Sequence, residues 1–200
     1  MASVEKALSL IATILFCIMP PVYPHGYLSF PAAVYRNPYT ATSFVATITE
    51  SVDPIVFGGK KWNDSPELNS VMFATAFHNS SYASLRALLD PVVTGCGSTR
   101  IDISPINVTG ATEMHWQNDQ EHKGFVDSHH GPCEAWIDDH RVLHDNDCRA
   151  TYTSYPARLP VDYEALCDGE CSFTFYWLAL HEPTWQVYKA CAPIVTGIGL

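Results

Sequence analysis

Phe173-Thr174-Phe175-Tyr176-Trp177-Leu178 is apolar or aromatic at nearly every position. A strand with one face in water alternates polar and apolar residues, whereas a strand covered on both faces need not. The run therefore predicts a central strand over Ser172 to Leu180, lying between two layers. Thr184 to Ile194 predicts another strand close behind it.

Further strands are expected at Ser43 to Val52, rich in β-branched residues, at Arg100 to Val108, where Ile101 and Ile103 alternate with Asp102 and Ser104, and at Cys133 to Asp138. One helix is expected over Tyr82 to Leu89, because Leu85, Leu88 and Leu89 recur at helical spacing behind Ser80 or Ser81 as a cap. Asn63 to Asn69 and His115 to Asp127 read as loops. Strands with long loops and one or two short helices predict an all-β fold, an immunoglobulin-like or fibronectin III-like β-sandwich.

Residues 1–24 read as a secretory signal peptide: Lys6 marks a basic start, and Ala7 to Met19 form an apolar run too short to span a bilayer. Pro24 stands where the peptidase usually meets a small residue. Taking 24 residues from 200 leaves 176, enough for one well-buried core, so 25–200 is expected to form a single β-sandwich domain. Once Cys17 leaves with the leader, Cys96, Cys133, Cys148, Cys167, Cys171 and Cys191 remain. An even set in an exported chain predicts three disulfides and leaves their pairing open. No CxxC pair suggests zinc. Asn79-Ser80-Ser81 and Asn107-Val108-Thr109 are glycosylation acceptors.

The formal charge is −10, from 21 acidic against 11 basic side chains. Phosphate backbones and anionic membranes are repelled by such a surface, so neither nucleic acid nor a membrane is an expected partner.

Cutting before His25 would expose an α-amine beside an imidazole, giving two nitrogen donors on one residue. The amine titrates near ~8 and the ring near ~6.5, so both are available to metal just above neutrality. Nitrogen donors in a flat arrangement favour Cu(II) among first-row divalent ions. A second imidazole is offered by Asp127-Ser128-His129-His130-Gly131-Pro132-Cys133, where Gly-Pro makes a tight turn at the mouth of a strand. A third stretch, Ala179-Leu180-His181 through Gln186-Val187-Tyr188-Lys189-Ala190-Cys191, places Gln186 and Tyr188 two apart, on one face of a strand.

Together these stretches resemble the copper-dependent lytic polysaccharide monooxygenases (LPMOs). The resemblance rests on His25-Gly26, His129-His130-Gly131-Pro132, Ala179-Leu180-His181 and Gln186-Val187-Tyr188-Lys189-Ala190-Cys191 in that order, a pattern also met in the cellulose-active fungal branch. Length and the His-Gly-Tyr-Leu-Ser-Phe-Pro opening look most like the small pectin-active branch secreted by oomycete plant pathogens. The resemblance implies one copper ion bound by the amine and ring of His25 and by His129, with His130 as the fallback, and Tyr188 at the weak axial position. Gln186 and His181 would hydrogen-bond the oxygen co-substrate. It further implies an external small-molecule or protein electron donor, dioxygen or hydrogen peroxide as co-substrate, and a monomeric, secreted enzyme.

The implied substrate is a plant cell-wall polysaccharide, foremost pectin (homogalacturonan), with cellulose or another glycan as the alternative. De-esterified pectin is a polyanion, so a protein of this charge needs a local basic patch, bridging Ca²⁺ or methyl-esterified substrate. Arg36, Lys60, Lys61 and Lys123 are candidates for the patch, and Tyr27, Tyr35, Tyr39 and Trp62 for stacking on sugar rings. A non-catalytic histidine-brace copper-binding protein is the rival from another class.

Overall fold

The computed structural model describes residues 25–197; the segment read as a signal peptide lies outside them. Eleven strands run in the order β1 Tyr27–Phe30, β2 Val34–Tyr35, β3 Ala46–Ile48, β4 Thr99–Arg100, β5 Ile106–Asn107, β6 Glu113–Gln117, β7 Cys133–Ile137, β8 His140–Asp145, β9 Ala157–Pro160, β10 Glu170–Ala179 and β11 Trp185–Val195. Among the described residues four α-helices, α1 Pro54–Phe57, α2 Pro66–His78, α3 Leu85–Leu89 and α4 Cys148–Thr151, and two short 3-10 turns lie between them. The architecture is the expected β-sandwich. One sheet has the order β1-β6-β9; the other runs β3-β11-β10-β7-β8, with β5 added in parallel to β11. β2 and β4 form a separate ribbon.

β10 is the central strand that its composition predicts. Phe173, Phe175, Trp177 and Ala179 pack on one side with Leu28, Met114, Trp116 and Leu159 of the small sheet. Tyr176, Leu178 and Leu180 pack on the other side with Phe57, Phe73, Leu85 and Leu88 of the helices. Both faces of β10 are therefore dry from Phe175 to Ala179, and fully burying each large side chain contributes roughly 1.5–3 kcal/mol.

Other boundaries differ from expectation for identifiable reasons. Only Ala46–Ile48 of the 43–52 stretch pairs, against β11. The 100–108 stretch is not one strand: Ser104-Pro105 interrupts it, a proline lacks the amide that a ladder needs, and Ile101 is 54% exposed. The helix expected over 82–89 forms at Leu85–Leu89, with Ser84 accepting a hydrogen bond from Ala87 N. α2 is longer: its start lies within 63–69, which reads as a loop, and it runs on through 70–78, for which the sequence predicts no element. Ser65 caps it, Pro66 starts it, and Phe73 and Ala76 point inward. Its exposed Leu68 and Val71 blur the amphipathic pattern.

Cys96–Cys191, Cys133–Cys148 and Cys167–Cys171 form the three disulfides, a pairing that the spacing left open. Among the described residues no helix is long and apolar enough to cross a membrane.

Candidate metal centre

β10 and β11 are antiparallel, with Trp177 opposite Tyr188 and Ala179 opposite Gln186. Tyr188 and Gln186 therefore share the face of β11 that looks toward the small sheet. There the Tyr188 hydroxyl lies 2.7 Å from Gln186 Oε1 and 2.5 Å from His25 Nδ1. Trp177 stacks on the Tyr188 ring, centroids 4.6 Å apart, and fixes where the hydroxyl can reach.

The pairing of β1 holds His25 at the mouth of that strand. Tyr27 and Leu28 pair with Gln117 and Trp116 of β6, and Gly26 passes so close to Trp116 that a Cβ there would fall 2.3 Å from the indole Nε1. Only glycine fits this approach. Phe44 meets the His25 ring edge-on at 5.6 Å.

His129 reaches the same place from the turn before β7. The backbone of that turn is stitched to the end of β10, as Leu178 N donates to Pro132 O and Leu180 N to His130 O. Gly131 has φ 149°, and a Cβ on it would strike Leu178 O, which explains the Gly-Pro pair. The His129 and His25 rings lie 5.4 Å apart, centroid to centroid. His129 Nδ1 bonds Ser128 Oγ at 2.9 Å, while Nε2 is buried with no hydrogen-bond partner. A ring tethered at one nitrogen with the other left bare is the form in which imidazole serves a metal.

His130 faces elsewhere. Its Nδ1 lies 2.7 Å from Asp147 Oδ2 and its Nε2 3.4 Å from Glu67, so the structure distinguishes the two neighbours that sequence could not. His181, from the turn after β10, stacks on His129 with centroids 3.9 Å apart. All five anticipated residues, His25, His129, His181, Gln186 and Tyr188, thus converge at one end of the sandwich. Ser128, Trp116, Trp177 and Phe44 were not anticipated. A period of two was readable for Trp177 in Phe173-Phe175-Trp177 and for Trp116 beside Met114.

The cluster is dry enough to keep its imidazoles neutral. Burial, helped by the nearby His181, lowers His25 to about 4. Burial, followed by His181 and His25, lowers His129 to about 3, with Gln186 opposing. Burial lowers His181 as well, against the pull of Glu182. Burial also raises the Tyr188 hydroxyl far above the usual phenol range, so it stays protonated and donates.

Among the described residues no group of three or more His, Cys, Asp or Glu side chains is placed to hold one metal ion. The stacked His181 presents its face to His129, and ring nitrogens bind metal in the ring plane. Two imidazoles, those of His25 and His129, are therefore the side-chain nitrogen donors that face one another. The bare His129 Nε2 and the His25 Nδ1 beside the Tyr188 hydroxyl fit a copper ion completed by an α-amine on His25.

Solved structures similar to the chain at low identity include three LPMOs. An LPMO from Kitasatospora papulosa is 11% identical, with 88% of this chain and 100% of that one covered and a TM-score of 0.44. ScLPMO10B, solved in complex with zinc, is 12% identical, with 86% and 100% covered and a TM-score of 0.44. LPMO10B from Micromonospora aurantiaca is 13% identical, with 86% and 100% covered and a TM-score of 0.40. No protein-family model and no curated protein sequence matches the chain.

Proposed function

We propose that this chain is a secreted, monomeric, copper-dependent polysaccharide monooxygenase, processed before His25 and acting on pectin in the plant cell wall. The observation that carries the reading is the meeting of half-buried His25 and buried His129, 5.4 Å between ring centroids, with the Tyr188 hydroxyl on His25 Nδ1. His25 would hold the ion through Nδ1 and its freed amine, and His129 through Nε2. The copper, cycled by an external electron donor with dioxygen or hydrogen peroxide as co-substrate, supplies the oxidising power that hydroxylates a sugar carbon beside the glycosidic oxygen.

The protein's own share is positioning and protection. Gln186 accepts from Tyr188 and keeps that hydroxyl aimed. Low imidazole basicity keeps both ligating nitrogens free of protons in mildly acidic surroundings. His181, flat against His129, brings a buried Nδ1 without a partner, able to hydrogen-bond a co-substrate. The pocket has no need of a carboxylate pair, and Glu134, the carboxylate nearest in sequence to His129 on β7, is committed to Leu85 N and Arg86 N.

The test is N-terminal sequencing of secreted protein, followed by calorimetry with Cu(II) and product analysis on pectin. Wild type is expected to begin at His25, bind one copper tightly and release oxidised oligosaccharides. His25→Ala, or one residue added ahead of His25, is expected to remove tight binding and activity together. Full activity in either variant overturns the proposal, and tight copper binding without oxidation of any glycan favours a metal-carrier role.

A further inference from the structure

Cations are scarce in this chain and almost all are spoken for. Among the described residues Arg86, Arg100, Lys123, Arg141, Arg149, Arg158 and Lys189 each bridge a carboxylate. Lys123 thereby leaves the group of four expected to form a basic patch, since Asp127 holds it at 3.2 Å. Arg36 lies within the field of Asp102. Lys60 and Lys61 remain without an acidic partner, adjacent in sequence and lining a single cavity of about 680 Å³.

The cavity is built onto the candidate metal centre. Pro183 and Thr184 form part of its wall, and two residues of chain span at most about 7 Å from His181 to Pro183. The opposite wall is fixed to the same hairpin. Buried Asn69 donates to Trp62 O at 3.2 Å and to Leu180 O at 2.8 Å, so it joins the residue after Lys61 to the residue before His181. Lys60 Nζ donates to Val56 O at 2.8 Å, which holds its ammonium group in place. Glu50 also lines the cavity, and its Oε2 is buried without a hydrogen-bond partner. Ser51, Asn63 and Thr184 add small polar groups.

Two ammonium groups against one carboxylate favour an anion. The bare Glu50 oxygen asks for a hydroxyl donor, and the volume lies in the range of a small-ligand site. We infer that the Lys60–Lys61 cavity is a subsite for an unesterified uronic-acid residue of the polysaccharide whose neighbouring bond lies over the His25–His129 pair. This identification of substrate chemistry rests on the monooxygenase reading of that pair. Two lysines on one cavity wall also answer the charge problem, since attraction over a few ångströms locally outweighs a diffuse negative surface that salt screens beyond about 8 Å.

The test compares trigalacturonate with its methyl ester as calorimetric probes of the copper-loaded secreted protein. Wild type is expected to prefer the free acid, and K60Q/K61Q to lose about tenfold of that preference, more at low salt. Glutamine keeps a donor for Val56 O, and K61Q alone alters only an exposed side chain, so it serves where the double variant does not fold and is expected to lose part of the preference. A preference unchanged in the variants, or absent in wild type, overturns the inference. Cleavage is scored separately: lysine-dependent binding without cleavage of any glycan sinks the monooxygenase reading and leaves the subsite standing, whereas cleavage with no lysine dependence does the reverse.

Discussion

His181 lies flat on His129, ring centroids 3.9 Å apart and planes 26° from parallel. Two stacked imidazoles next to a third on His25 cannot all carry protons, because like charges at this distance repel and burial strips away the water that would screen them. Neutral rings are therefore favoured in the folded trio.

That neutrality sets the acid response of the metal-free protein. Well above pH ~6.5 the histidines are neutral whether the chain is folded or unfolded and contribute no pH dependence. As pH falls from there toward about 4 for His25 and about 3 for His129, the unfolded chain takes up protons that the native state refuses. Stability therefore declines across that window and levels off, for these groups, below it. Denaturant titrations at a series of pH values should show the decline in wild type and a shallower one in His129→Gln.

Neighbouring histidines should differ in what their removal does to copper binding. His129→Ala is expected to reduce copper affinity at least a hundredfold by removing the bare Nε2, and also to lower stability, since a buried ring, its Ser128 contact and its stack on His181 go with it. His130→Ala should leave copper binding intact and cost about 1–2 kcal/mol, because Asp147 loses its 2.7 Å contact. Copper calorimetry on the pair, with melting curves to account for stability, separates metal ligand from structural residue.

Gly26→Ala is predicted to be costly although both residues are small. The added methyl would meet Trp116 Nε1 at 2.3 Å, and Trp116 is packed against Phe175 and Trp177. Repacking should cost about 1–3 kcal/mol and move His25 off its position beside Tyr188. Loss of copper affinity together with stability is the expected result, and an unaffected Cu(II) electron paramagnetic spectrum would contradict it.

Cys133–Cys148 closes a loop with a sequence separation of 15, anchoring the start of β7 directly after the His129 turn. Replacing both cysteines by alanine should cost about 3 kcal/mol by the chain-entropy relation. The same variant should bind copper more weakly than its loss of stability alone explains, because Gly131 O accepts from Cys148 N and the turn loosens with it. Melting temperature and copper titration on one sample check both halves.

Much of this was legible in the chain. Apolar residues at nearly every position of 173–178 require cover on both faces, and the dry strand β10 is a consequence of local composition alone. Gln186 and Tyr188 share a face because strand geometry has a period of two, whatever surrounds it. α2 was obscured because Leu68 and Val71 are left in water, so its pattern carries no clear stripe. The alternation of Ile101 and Ile103 hid the break that Pro105 makes in 100–108.

Which residues stand together across long separations was decided only by the fold. His129 and His130 are chemically identical and adjacent, and the choice between them comes from the partners each meets: Asp147 and Glu67 claim one, and the pocket beside His25 takes the other. Lys60 and Lys61 look like any surface pair until every other described cation but Arg36 is found bridged to a carboxylate. Periodicity and composition act within a few residues of chain, whereas a binding site is set by distances across 100 residues or more of sequence, and those exist only once the sheets have packed.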